Sequence, residues 1–292
     1  MENLQYLAEI PECEQKGFDK FIQNTRKLYI PSPKDTVKEV LNNHQEMMIA
    51  LKTEKNVSKV ISDLRTEAYN SFLLHEAQMN AHILKNISNQ FAVPGRKFDD
   101  LCEAFNHNPL DTKEKLSDFF GEYSGQIYPY IYRLSLSNTQ SRRSRAGKVF
   151  EGIVYGLYDV LGYPYSSQAT VGSKNFKSKK LGKIVDSLLP GLDAFDQRRD
   201  KVIIGTMKTT LRERWQEVIE EINRTMLPKI YLLTVDEDIS VNKVEQMANH
   251  NVILVVYNSV KNNGELAKKR NVVSFEDYFF EEVPETLAYW NR

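Results

Sequence analysis

Apolar residues recur three and four positions apart through much of the first half of the chain, the spacing of a buried helix face. Residues 36–52 and 57–89 carry this pattern, the second through Val60, Ile61, Leu64, Ala68 and Phe72, with His75 in the same register. Pro31, Pro33, the Pro94-Gly95 pair and Pro109 punctuate it. After about residue 137 the period changes. Residues 149–161 read as an apolar helix with one acid, Glu151, stopped by Gly162-Tyr163-Pro164. Short apolar runs then alternate with helical ones. Strands are predicted at 184–189, 202–207, 230–235 and 252–257. One helix runs through Arg224 with Trp215, Val218, Ile219 and Ile222 on a single face, and another follows Ser240.

Strands alternating with helices predict an α/β class fold, a mixed central sheet flanked by helices, with an N-terminal helical region. The division falls at residues 1–136 and 137–292. No linker separates the two parts, so the helical region is expected to pack on the core as one integrated domain. The chain contains no internal repeat and no low-complexity tract.

Composition narrows the class. The 292 residues suffice for a sizeable core, and 39 basic against 39 acidic residues give zero net charge. Any DNA affinity must therefore come from a local basic surface. Cys13 and Cys102 form neither a disulfide framework nor a zinc cluster. His75 and His82 stand seven apart, but no third ligand sits at metal spacing, which favours a packed or solvent-facing pair. Tyr128, Tyr130 and Tyr132, interleaved with Ile131, read as core or interface. The N-terminus lacks a signal peptide, and no apolar run approaches the roughly 20 residues of a membrane helix. These features predict a soluble cytoplasmic protein with no membrane partner.

The candidate chemistry gathers around residues 201–221. Lys208 ends a predicted strand, and Arg212-Glu213-Arg214 opens the next helix, concentrating charge where a polyanion can dock. Asp186 lies on the preceding strand, with Glu217 and Glu221 along the following helix. Carboxylates in such a crevice hold Mg²⁺ through oxygen ligands, while a lysine orients water and stabilises phosphate charge. Taken singly, each is as readily an ordinary solvated side chain. The Arg-Glu-Arg trio has two readings. It is either a solvent-facing salt-bridge cluster or a base reader, with Arg donating to guanine and Glu accepting from cytosine. In the second reading Arg142, Arg143, Arg145 and Lys148 contact phosphates.

Lys208 through Trp215, with Thr139-Gln140-Ser141-Arg142-Arg143-Ser144-Arg145-Ala146-Gly147 and Phe150-Glu151, resembles the CCGG/CCNGG group of type II restriction endonucleases. The resemblance covers roughly residues 137–225. Asp186, Lys208 and Glu221 match its metal-site spacing, with gaps of twenty-two and thirteen. Thr206 stands two before the lysine, where most nucleases of this fold have an acid, and the helix supplies that acid instead, favouring Glu221 over Glu217. The resemblance implies a restriction-endonuclease-like core and Mg²⁺ held by Asp186 and Glu221 with Glu151 assisting. It implies water positioned by Lys208, base recognition by Arg212, Glu213 and Arg214, and a minor-groove contact from Gln140. It also implies a homodimer, or a higher oligomer, on a palindromic double-stranded DNA site containing CC and GG. Two alternatives remain at this stage: a structure-selective repair or recombination nuclease of the same fold, and a non-catalytic sequence-specific DNA-binding protein.

Overall fold

The computed structural model describes residues 7–91, 112–179, 181 and 184–291. Pro94-Gly95, Cys102 and Pro109 lie outside the described residues. The chain forms two compact units, one of residues 1–32 and 69–145, the other of residues 33–68 and 146–292. The change of character near residue 137 and the units of the fold thus divide the chain differently.

The first unit is helical. It contains α1 (Glu12–Tyr29), most of α4 (Val57–Gln90), α5 (Thr112–Gln126) and the first half of α6 (Tyr128–Leu161). Its core joins Phe18 and Ile22 of α1 to Phe72, Met79 and Ile83 of α4 and Tyr130 and Leu134 of α6. The predicted helix at 57–89 is therefore present almost to the residue. The tyrosine run divides by face: Tyr130 is in this core and donates to Glu14 at 2.5 Å, whereas Tyr128 and Tyr132 stack on each other at the exposed surface. His82 bonds the Tyr29 hydroxyl at 2.9 Å, the packed role expected of it.

The second unit holds α2 (Pro33–Asn43), α3 (Gln45–Glu54), the start of α4, the second half of α6, and a six-stranded sheet. The predicted helix at 36–52 is two helices, because His44 leaves the helical region with φ −121° and ψ 47°. The strands are β1 (Ser166–Ser167), β2 (Ser187–Leu189), β3 (Ile203–Lys208), β4 (Ile230–Thr234), β5 (Val252–Val256) and β6 (Val272–Ser274), arranged in that order. β1–β2 and β2–β3 pair antiparallel, and β3 to β6 pair parallel. The sheet is mixed, as predicted. Every residue of β4 and all but the last of β3 are buried, so both sheet faces are covered, as parallel pairing with helical crossovers requires. The crossovers include α7 (Arg214–Thr225) and α8 (Val241–Ala248), and α9 (Val283–Trp290) closes the chain. Among the described residues, no helix is long and apolar enough to cross a membrane.

Two local expectations need correction. The basic run 141–148 is not a separate segment before a helix; it lies within α6, which is continuous over 34 residues. Its one helix-weakening residue, Gly147, is a tolerated interior glycine with open space beside it. The strand predicted at 184–189 is shortened to Ser187–Leu189, leaving Asp186 just outside it.

Candidate active site

Strand pairing brings the central residues together. Ser187 is opposite Gly205, which sets Asp186 beside Thr206 and Met207. A side chain at Gly205 would meet the Ser187 hydroxyl at 2.4 Å, so that hydroxyl would have to turn away to admit one. Asp186 Oδ2 accepts from the Met207 amide at 2.7 Å and from Thr206 Oγ1 at 3.5 Å. The Asp186 amide donates to the Gly205 carbonyl at 2.8 Å, and the Tyr155 hydroxyl donates to the Asp186 carbonyl at 2.9 Å. Tyr155 stacks on Tyr165, centroids 5.3 Å apart and planes 13° from parallel. It follows Glu151 by one helical turn, so one face of α6 carries both.

Charges in this corner oppose one another. Burial, and then the charge of Glu151, push the Asp186 carboxyl up to about 7. Lys208, the Met207 amide and Thr206 act in the other direction. Burial also raises Glu151, against the pull of Lys208 and Lys148. Tyr155 is raised by burial, Asp186 and Glu151, so its hydroxyl stays a donor. Asp186, Glu151 and Lys208 therefore share one electrostatic site. Two partly desolvated acids with a single lysine between them are what a divalent cation relieves.

Glu221 is placed differently. It is buried on the core side of α7 with Trp215, Val218 and Ile222. Both its oxygens are taken by Arg224 one turn on, Nε to Oε2 at 3.1 Å and Nη2 to Oε1. Glu217 is exposed. Among the described residues, no three His, Cys, Asp or Glu side chains gather at one point to hold a metal.

Beyond β3 the chain turns sharply into α7. Leu211 is buried, Arg212 has φ 31°, and the Arg214 amide donates to the Leu211 carbonyl at 2.6 Å. Arg212, Glu213 and Arg214 all face solvent. Gln140, Arg143 and Lys148 are exposed along α6. Arg142 and Arg145 are engaged within the fold. Arg142 Nε reaches both oxygens of buried Glu76 at 3.1 and 3.0 Å, joined by Nη2. Arg145 Nη1 donates to the Pro31 carbonyl at 2.7 Å, and its guanidinium lies 5.1 Å from the Phe72 ring centre. Sequence reasoning did not find Tyr155 as a partner of Asp186. Its spacing of four from Glu151 was the only available signal.

A mixed sheet bearing a strand-end lysine beside two acids can serve metal-assisted phosphodiester hydrolysis. The chain superposes on Ecl18kI, solved metal-depleted in complex with uncleaved, modified DNA, with TM-score 0.76. The identity is 28%, covering 94% of this chain and 85% of that one. The PspGI–substrate DNA complex shares the fold, with TM-score 0.61 and 17% identity over 89% of this chain and 94% of that one. Residues 115–279 match the family described as EcoRII C terminal. The type II restriction enzyme SsoII of Shigella sonnei is 34% identical over 244 residues, 81% of this chain and 78% of that protein. The chain belongs to the EcoRII C-terminal family and is a type II restriction endonuclease, a site-specific deoxyribonuclease of the CCGG/CCNGG group. Enzymes of this class in general use a divalent metal ion and act on double-stranded DNA.

Proposed function

We propose that the protein hydrolyses both strands of a palindromic duplex site containing CC and GG, with a CCGG or CCNGG core, as a cytoplasmic Mg²⁺-dependent homodimer. The observation that carries this reading is the juxtaposition of the Asp186–Glu151–Lys208 cluster with the exposed Arg212-Glu213-Arg214 segment, four residues beyond that lysine. Asp186 and Glu151 would hold the ion, because burial disfavours the charge of both and Glu151 further destabilises that of Asp186. Glu221 would join them only by exchanging Arg224 for the metal. Bound there, Mg²⁺ would neutralise charge building on the scissile phosphate.

The chain's own groups do the rest. Lys208 holds water in line with the scissile phosphorus and meets the charge on its non-bridging oxygens, while the leaving oxygen departs opposite. Thr206 and the Met207 amide fix the orientation of Asp186, and Tyr155 fixes its backbone. Arg212 and Arg214 donate to guanine, Glu213 accepts from cytosine, and Gln140 reaches the minor groove. Arg143 and Lys148 have their heads in solvent and are the phosphate contacts. Arg142 and Arg145, expected from their charge to contact phosphates, hold α6 to its own unit instead. One trio per subunit matches a palindrome read by two subunits.

Digestion of a fully sequenced plasmid with Mg²⁺, followed by sequencing of the fragment ends, tests the proposal. Discrete ends sharing a CC…GG core are expected. Random nicks, or cutting at branched DNA alone, would overturn it.

A further inference from the structure

The base-reading segment has a second anchor in a different loop. Asp236 lies two residues beyond β4, and β4 lies beside β3 with Lys208 opposite Thr234. Its Oδ2 accepts from the Leu211 amide at 2.7 Å. Its Oδ1 accepts from the Asp238 amide at 3.2 Å, and its own amide donates to Thr234 Oγ1 at 3.1 Å. The carboxylate is thus fixed within its own loop before it reaches across. Leu211 is consequently held twice, by its amide on Asp236 and by its fully buried side chain. Arg212 follows at once in the left-handed region, φ 31°, a conformation a non-glycine residue keeps only when its neighbours impose it. The Arg214 amide then closes the turn on the Leu211 carbonyl.

We propose that Asp236 is the positioning residue for sequence discrimination. By clamping Leu211 it imposes the turn that presents Arg212, Glu213 and Arg214 together, although it touches no base itself. A bidentate base contact depends on direction as well as distance, so a trio whose turn is free to relax keeps its charge but loses its selectivity. This inference rests on the base-reading role proposed above.

The test is binding without divalent cation, using duplexes with CCGG and CCNGG cores, versions with one C·G pair replaced by T·A, and a duplex lacking the core. Asp236→Ala should lower the ratio of cognate to substituted affinity about tenfold, the scale of one misplaced bidentate pair. Affinity for the coreless duplex should stay within about twofold, since phosphate attraction is unchanged. Asp236→Asn keeps a carbonyl acceptor at the same reach and should retain most of the ratio. Asp236→Glu, with a longer arm, should lose it. This pair decides the matter even if the alanine variant fails to fold. A merely structural aspartate would weaken all duplexes equally and leave the ratio intact, overturning the clamp. If Arg212→Ala and Glu213→Ala also leave the ratio intact, the base-reading assignment itself is overturned. If they abolish it while every Asp236 variant retains it, only the clamp is overturned.

Discussion

Residues 142–148 carry four basic side chains, and residues 208–214 carry three with one acid, yet the fold treats these two charged runs in opposite ways. In the first, Arg142 is spent on buried Glu76 and Arg145 on the Pro31 carbonyl and the Phe72 ring, so half the run serves cohesion. In the second, Arg212, Glu213 and Arg214 stand in solvent on a strained turn, four residues beyond a lysine that shares its electrostatic site with two acids whose proton affinity burial raises. Charge density alone does not separate the two runs. What separates them is whether the fold supplies a partner. On the roles proposed above, the charges held out at a structural cost are the ones that meet DNA.

The sharpest way to break the comparison is Asp186→Ala. Cleavage of a cognate duplex in single-turnover assays should fall by about a thousandfold or more, while binding to that duplex persists. Retained cutting would move the reaction centre elsewhere. Next, Arg212→Ala should weaken cognate binding by roughly 1–3 kcal/mol and relax preference at one base pair, read by competition with single-substitution duplexes. Arg142→Ala is the counterpart in the other run. It leaves Glu76 buried without its partner, so denaturant unfolding should register a loss of about 1–3 kcal/mol, with the cognate-to-substituted ratio unchanged. A lower ratio with unchanged stability would reverse the assignment of Arg142.

Acid–base behaviour sharpens the same contrast. Asp186 titrates near 7 in the folded chain and near 3.8 when unfolded, so the folded chain binds that proton more tightly. Stability without divalent cation should therefore be greatest at low pH with respect to this group, and fall as pH rises from about 4 through about 7. Asp186→Asn should flatten that slope in thermal melts. If Asp186 holds Mg²⁺ as proposed, the ion displaces the same proton, so its affinity should strengthen as pH rises through 7. The smallest effects belong to Arg143→Ala and Lys148→Ala. Each should weaken all duplexes alike and lower the salt slope by about one.

Three of the four parallel strands were legible because they are short apolar runs, unbroken and flanked by polar turns, whereas β6, only three residues long, was not predicted. β3, β4 and β5 lie within a residue of where the pattern put them. The long helix α4 was legible for the same kind of reason, an unbroken helical period. The continuity of α6 was hidden because its basic stretch has no apolar period of its own. At the site, Lys208 and the trio could be found because they adjoin in sequence. The engagement of Glu221 with Arg224 was within reach, since the two are one turn apart, but Glu221's inward face runs against the rule that acids point outward. Asp236 and Tyr155 act through backbone groups of residues 25 and 31 positions away, and no residue pattern records such a bond.

The shortness of the path from Lys208 to Arg212 sets a ruler. Four residues span at most about 14 Å even when fully extended, and successive nucleotides of one strand rise about 3.4 Å. On the roles proposed here, the phosphate that is cut cannot lie more than about four such steps from the nearest base that Arg212 reads, beyond what the two side chains add. On those roles the stagger of the product ends is bounded by chain geometry, through how few residues separate the group that cuts from the group that reads.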